Sequence, residues 1–300
     1  MSNKIGFIGL GAMGLPMASN MQRKGFAVTV YDIDDAKMDK VAALGATKAA
    51  SVADASRGQD IVITVLPATQ HVEAVVLGAD GVLANIDDGA LLMDLSTIDT
   101  KTTDKVAAAC KNKGIAFVDA PIGRLSIHAE RGESLFMVGA EPTDYQRVLP
   151  ALNAMGTTIH HCGAPGTGSR MKVINNFMAM SIAQIVAESI ALGTKLGLDI
   201  ETMHDVTSGT TANNGQFHTL MVNKALKGDV EPGFTIDLAF KDLSLAMNAA
   251  AEQRIGLPMG SAAHAVFGAA RATDYASKDY SALLNYACEN AGITPPRMKG

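Results

Sequence analysis

The apolar positions of this chain fall into two regimes. Up to about residue 163, short apolar runs alternate with stretches whose apolar residues recur at helical spacing. Residues 4–9 form the first run, and 12–23 the first helical stretch, closed by Gly25. A second run, 27–31, is β-branched and ends at Asp32; a short helix to residue 44 stops at Gly45, and Ser51 opens another. The run 61–66, ended by Pro67, has no polar face and predicts a strand buried on both sides. A helix from residue 69, a strand over 91–94 and a helix capped by Ser96, Thr97 or Thr100 and ending near Gly114 follow. Strands over 115–118, 134–138 and 157–162, with a helix over 142–155 between the last two, complete the set. Such alternation predicts an α/β fold with a doubly wound, mostly parallel sheet.

After Gly163 no run reads as a strand. The pattern predicts a helix of near thirty residues, then helices near 200–208, 213–226, 235–253, 260–272 and 279–290. Two domains result: 1–163, sheet and helices, and 164–300, all helical and joined through the long helix. The apolar run of that helix is broken by Gln184 and Glu188, which reads as a buried soluble helix rather than a membrane span.

Composition narrows the partners. Net charge is −5, from 25 basic and 30 acidic residues, with no basic block and no tryptophan. That excludes a nucleic-acid surface. Cys110, Cys162 and Cys288 are odd in number and far apart, so neither a disulfide framework nor a zinc site is indicated, and a cytoplasmic setting fits. Residues 1–3 lead straight into a strand pattern, without a cleavable signal. The pair His160-His161 has no third residue at metal-ligand spacing, so no metal is expected.

Two motifs carry chemistry. Gly9, Gly11 and Gly14 make G-x-G-x-x-G between the first strand and the first helix, with Asp32 closing the second strand at the separation expected of a ribose-binding acid. With Ala12 and Met13 this turn would hold a dinucleotide pyrophosphate at the helix N-terminus. Asp32 favours NAD over NADP, because a carboxylate accepts from a ribose 2′-OH and repels a 2′-phosphate. Leu66, Pro67 and Thr97 lie at later strand ends, where ligands bind in open α/β sheets. The second motif is Lys172 and Asn176, four apart and so one turn apart on one helix face, after a glycine-rich break. In a reductase the lysine ammonium would stabilise and protonate the oxygen formed on hydride transfer.

Together these residues resemble the β-hydroxyacid dehydrogenase family. The resemblance rests on residues 8–18, on Asp119-Ala120-Pro121-Ile122-Gly123, on Gly166-x-Gly168-x-x-x-Lys172-x-x-x-Asn176, on Lys241-Asp242-Leu243 and on Leu257-Pro258-Met259. It implies a Rossmann domain followed by a helical domain, in a homodimer or homotetramer. It also implies Lys172 as the catalytic residue, Asn176 as its amide partner and Lys241 near cofactor and substrate. One departure stands out. Where the family's substrate loop has serine and glycines, this chain has Gly123-Arg124-Leu125-Ser126. That pattern, with Asn175 in the stretch from Lys172 to Phe177, is similar to the sulfolactaldehyde-reducing branch. A guanidinium fork suits a sulfonate, and Ser126 and the backbone beside Gly123 would add donors. The expected substrate is therefore a small anionic aldehyde or its hydroxy acid. The alternatives are the activities of 3-hydroxyisobutyrate dehydrogenase, tartronate semialdehyde reductase and succinate semialdehyde reductase; a non-catalytic dinucleotide-binding module is a remote one. His128 reads as a loop residue.

Overall fold

The computed structural model describes residues 4–299; residues 1–3, where the absence of a signal was read, and Gly300 lie outside them. The chain forms two compact units, Met1–Lys172 and Val173–Gly300.

The first unit is a nine-stranded sheet: β1 Lys4–Ile8, β2 Ala27–Tyr31, β3 Thr47–Lys48, β4 Ile61–Thr64, β5 Leu91–Asp94, β6 Ala116–Asp119, β7 Ile122–Gly123, β8 Ser134–Gly139 and β9 Gly156–Gly163. The strand order is β3-β2-β1-β4-β5-β6-β8-β7, with β9 on β8. Pairings from β3 through β6 are parallel, and so is β8 with β9. β6 and β7 run antiparallel to β8 in one continuous register, from Asp119↔Gly139 to Gly123↔Leu135. The two-residue strands β3 and β7 are too short to leave a hydrophobic period and are invisible in the sequence. In β4 the uninterrupted apolar run feeds both faces. Ile61 and Ile63 join a core with Phe7, Leu91 and Leu152, whereas Val62 joins Val72, Val76 and Cys110 on the other side.

Most helices match the expected stretches, and their caps show why they begin where they do. Ser51 caps Val52–Ser56 through Asp54 N–H, and Asp34 caps Asp35–Ala42 through Ala36 N–H. The helix Thr100–Lys113 is capped by Asp99, whose side chain accepts from Thr102 N–H, not by Ser96, Thr97 or Thr100. A carboxylate outcompetes those hydroxyls, and Ser96 is engaged elsewhere.

In the second unit the helices are Ile200–Ser208, Ile236–Glu252, Pro258–Ala270 and Leu283–Asn290, with the long helix Thr167–Lys195 continuing from the first unit. The continuous helix expected over 213–226 is instead a π-helical stretch, Gln216–Met221, and a 3₁₀ turn, Ala225–Lys227. Asn214 caps the start of this stretch, its Oδ1 accepting from Phe217 N–H at 2.9 Å, and the interruption falls at Lys224, whose φ −125° and ψ −96° leave the helical region. The core of this unit is built from Ala183, Ala187 and Ile190 of the long helix with Leu243, Phe267 and Leu284. By length and composition the long helix alone, among the described residues, suffices to cross a membrane, but half of its most apolar window is buried in the protein.

Candidate active site

Strand order reverses between β1 and β4, and in such sheets ligands bind at the carboxyl ends there. Gly9 has φ +97°, and a Cβ on it would lie 2.3 Å from the Val65 carbonyl oxygen. A Cβ on Gly14 would lie 2.0 Å from the Gly9 carbonyl, so helix and strand approach as only glycine allows. Gly11 differs: nothing lies within 4 Å of where its Cβ would be. That open space, bordered by exposed Ala12 and half-buried Met13 and leading to the N-terminus of helix Gly14–Arg23, fits a pyrophosphate. Asp32 stands beside it. Its Oδ2 accepts from Leu10 N–H at 2.6 Å and its Oδ1 from Asp34 N–H at 2.9 Å, with Lys37 Nζ 3.9 Å from Oδ1. The carboxylate is held by the backbone of the glycine-rich turn, in a position from which it could accept from a ribose hydroxyl.

The ends of β4 and β5, which carry Leu66, Pro67 and Thr97, are tied by a buried acid that the sequence reading passed over. Asp94 Oδ1 accepts from Thr64 Oγ1 at 2.7 Å and from Ser96 Oγ at 2.6 Å, and Ser96 Oγ in turn accepts from Leu66 N–H at 2.9 Å. Burial pushes its carboxyl from 3.8 up to about 6; the bonds from Ser96 and Thr64 pull it down, and the neighbouring Asp119 pushes it up. The acid is therefore penalised when charged in the folded protein. The penalty is absent below pH 4 and complete above pH 6, so stability from this group falls as pH rises between them. A rise of that size is worth on the order of 3 kcal/mol. Asp94→Asn should thus gain about that much stability relative to the parent between pH 4 and pH 7, measured by urea unfolding. An unchanged difference at the two pH values would refute the assignment.

Asp119, the register partner of Asp94 on β6, is also fully buried. Burial raises its pKa against the downward pull of the N–H groups of Gly166 and Ser169, which it accepts at 2.5 and 2.6 Å. Those residues open the long helix. One turn on, the Lys172 ammonium donates to the Ile122 carbonyl at 2.7 Å, placing the lysine head at β7 beside Gly123. Arg124 follows at φ +71°, a left-handed conformation that glycine adopts freely and arginine does not. Its guanidinium donates to the Glu133 carbonyl at 2.5 Å and to the hydroxyls of Thr157 and Thr158 at 3.3 and 3.0 Å. Ser126 opens the short helix Ser126–Glu130, and His128 Nδ1 accepts from Leu125 N–H at 3.3 Å, closing that loop.

In the second unit a polar cluster surrounds Asn176. Its Nδ2 donates to Asp242 Oδ2 at 2.5 Å, and its Oδ1 accepts from Asn175 Nδ2 at 2.9 Å. Lys241 Nζ lies 2.9 Å from Asp242 Oδ1, an ion-pair distance without hydrogen-bond alignment. The structure therefore joins Asn175, Asn176 and Lys241 through Asp242. The sequence reading held Asp242 only as a letter in a motif, although an acid among apolar neighbours on an amphipathic helix was a usable signal. Asp94 and Asp119 carried a similar one, each closing an apolar strand with a charge.

The dinucleotide turn, the acid closing β2 and the lysine beside β7 define a nicotinamide-dependent oxidoreductase. The profile for the NAD binding domain of 6-phosphogluconate dehydrogenase matches residues 4–163, and that for the NAD-binding domain of NADP-dependent 3-hydroxyisobutyrate dehydrogenase matches 166–287. The chain is 39% identical to a 3-sulfolactaldehyde reductase of Escherichia coli over 290 residues, 97% of each protein. It is 35% identical to a 2-(hydroxymethyl)glutarate dehydrogenase of Eubacterium barkeri, over 98% of this chain and 97% of that one. The fold matches a 3-hydroxyisobutyrate dehydrogenase of Mycobacterium tuberculosis, solved with L-serine, at a TM-score of 0.87 and 34% identity, covering 95% and 99% of the two chains. The chain belongs to the 3-hydroxyisobutyrate dehydrogenase-like β-hydroxyacid dehydrogenases, oxidoreductases acting on CH–OH groups of small hydroxy acids and semialdehydes.

Proposed function

We propose that this protein is an NAD(H)-dependent reductase of a small anionic aldehyde, with 3-sulfolactaldehyde, reduced to 2,3-dihydroxypropane-1-sulfonate, as its preferred substrate. The observation that carries this reading is Arg124. An arginine held at φ +71°, where the family loop has glycine, is strain kept two residues from the carbonyl that receives the Lys172 ammonium. Similarity to a 3-sulfolactaldehyde reductase over nearly the whole chain supports it. A bound nicotinamide would supply the hydride. Lys172 then stabilises the developing alkoxide and donates its proton, and Asn176, steadied by Asp242, orients the hydroxyl. Arg124, exchanging its threonine and carbonyl acceptors for sulfonate oxygens, anchors the far end of the substrate, assisted by Gly123 N–H, Ser126 and Asn175. Lys241 takes the role of the family's second lysine toward cofactor and substrate.

Asp32 supports NAD over NADP, and the setting is cytoplasmic. Along the long helix Ile174, Met178, Ile185 and Leu192 remain exposed, and Leu192 also lines a groove of about 590 Å³. A second copy covers this face in a homodimer or homotetramer.

A second reading rests on the acceptors that already engage Arg124: if Glu133, Thr157 and Thr158 hold it throughout turnover, the substrate is a carboxylated semialdehyde. Steady-state kinetics with sulfolactaldehyde and with tartronate, methylmalonate and succinate semialdehydes, using NADH and NADPH, separates the two. Sulfolactaldehyde with NADH should give the highest kcat/KM by at least about tenfold, the worth of one charge-assisted contact. A carboxylated aldehyde in first place would overturn the substrate assignment.

A further inference from the structure

The long helix is held at its start by a group from elsewhere in the chain. The two oxygens of Asp119 take different N–H groups of its first turn, Oδ1 from Gly166 and Oδ2 from Ser169. Two bonds to separate points fix both the height and the rotation of that turn. Nothing cushions the contact: a Cβ on Gly168 would lie 2.2 Å from the Met137 carbonyl, and one on Gly139 2.3 Å from Asp119 Oδ1. Ser169 Oγ also meets Thr103 Oγ1 at 3.2 Å. Lys172 is three residues beyond Ser169, on the next turn of the same face, with its Nζ on the Ile122 carbonyl.

Stability alone is a poor reason for this arrangement. Capping a helix is worth about 1 kcal/mol, and a serine or threonine in the preceding loop suffices. Here the cap is a fully buried carboxylate, 47 and 50 residues away in sequence from the amides it serves. Burying such a charge costs several times what a cap returns. What the carboxylate adds is placement.

We propose that Asp119 is a positioning residue for Lys172: by gripping Gly166 and Ser169 it sets where the ammonium stands beside Gly123. This rests on the reading of Lys172 as the proton donor.

Asp119→Asn keeps the size but turns an amide –NH₂ against one of the two N–H groups. Ser169→Pro removes one of those N–H groups and leaves the carboxylate, at a first-turn position that tolerates proline. Ser169→Ala keeps the N–H but removes the hydroxyl, which also bonds Asp119, and so reports the smaller part of the same grip. For each folded variant, kcat and its pH profile, NADH binding by fluorescence titration and thermal unfolding are measured. Asp119→Asn and Ser169→Pro should each lower kcat by about 10²-fold, the effect of a roughly 1 Å misplacement, with NADH affinity within about threefold of the parent. Ser169→Ala should fall between Ser169→Pro and the parent, since it loses the hydroxyl contact and keeps the N–H. Asp119→Asn should also move the alkaline limb of the reductive kcat profile to lower pH, since a buried negative charge that favours the ammonium is gone. A kcat within about threefold of the parent in Ser169→Pro, or a kcat loss matched by equal loss of NADH affinity, overturns the proposal. Should Asp119→Asn fail to fold, Ser169→Pro decides alone. An active Lys172→Ala would sink the reading of Lys172 itself; an inactive one beside normal Asp119→Asn and Ser169→Pro sinks only the role of Asp119.

Discussion

Lys172→Ala is expected to lower kcat by about 10³- to 10⁴-fold, because on the proposed mechanism the general acid and the cation facing the new alkoxide vanish together. NADH binding should change little. The dinucleotide turn is built by Gly9, Gly11, Gly14 and Asp32, and the Lys172 head rests on the Ile122 carbonyl at β7 rather than on that turn. Stopped-flow reduction with fluorescence titration of NADH reads the two quantities separately. Lys172→Arg is informative beside it: the charge remains, but a guanidinium does not give up a proton in the working pH range, so proton transfer stays lost. A near-normal rate in Lys172→Ala would remove the lysine from the chemistry.

The second large effect concerns Arg124. Arg124→Ala should raise KM for sulfolactaldehyde by about 10- to 100-fold, the worth of charge-assisted hydrogen bonds to an oxyanion. KM for a neutral aldehyde of similar size should be unchanged. Arg124→Gly adds a control drawn from the backbone. At φ +71° glycine relieves strain of about 1 kcal/mol that alanine keeps, so this variant should unfold higher than Arg124→Ala while losing the anion preference equally. Should both variants instead lose stability and treat the two aldehydes alike, the bonds to Glu133, Thr157 and Thr158 are a structural brace and Arg124 selects nothing.

The parts of this fold that were legible are those written in local periodicity. β4, with its unbroken Ile61-Val62-Ile63 run, and the stretch from Gly9 to Asp32 declare themselves because each needs only its own residues to be understood. β7 does not: two residues carry no period, and the strand exists because Ile122 and Gly123 find Phe136 and Leu135. The helix expected over 213–226 is cut short for the opposite reason: its pattern is helical and Asn214 caps its start, but Lys224 departs from helical dihedrals, which no local periodicity announces. At the site, Lys172 and Asn176 stood out as polar residues on an apolar helix. Asp94, Asp119 and Asp242 did not, since each meets a partner 30 or more positions away (Thr64, Gly166 with Ser169, and Asn176), and spacing along the chain is silent about such pairs. The expectation for Arg124 was chemical, from its fork of donors; its left-handed backbone became visible only in three dimensions.

That backbone has an evolutionary consequence. Glycine would relieve the backbone strain at position 124 but forfeit the bonds to Glu133, Thr157 and Thr158, so on the proposed role a demand for the arginine's charge helps to keep it there. In a lineage released from that demand, position 124 should be among the first in this loop to drift, and glycine its commonest destination. If Arg124 anchors the substrate as proposed, the residue found at position 124 works as a record of diet.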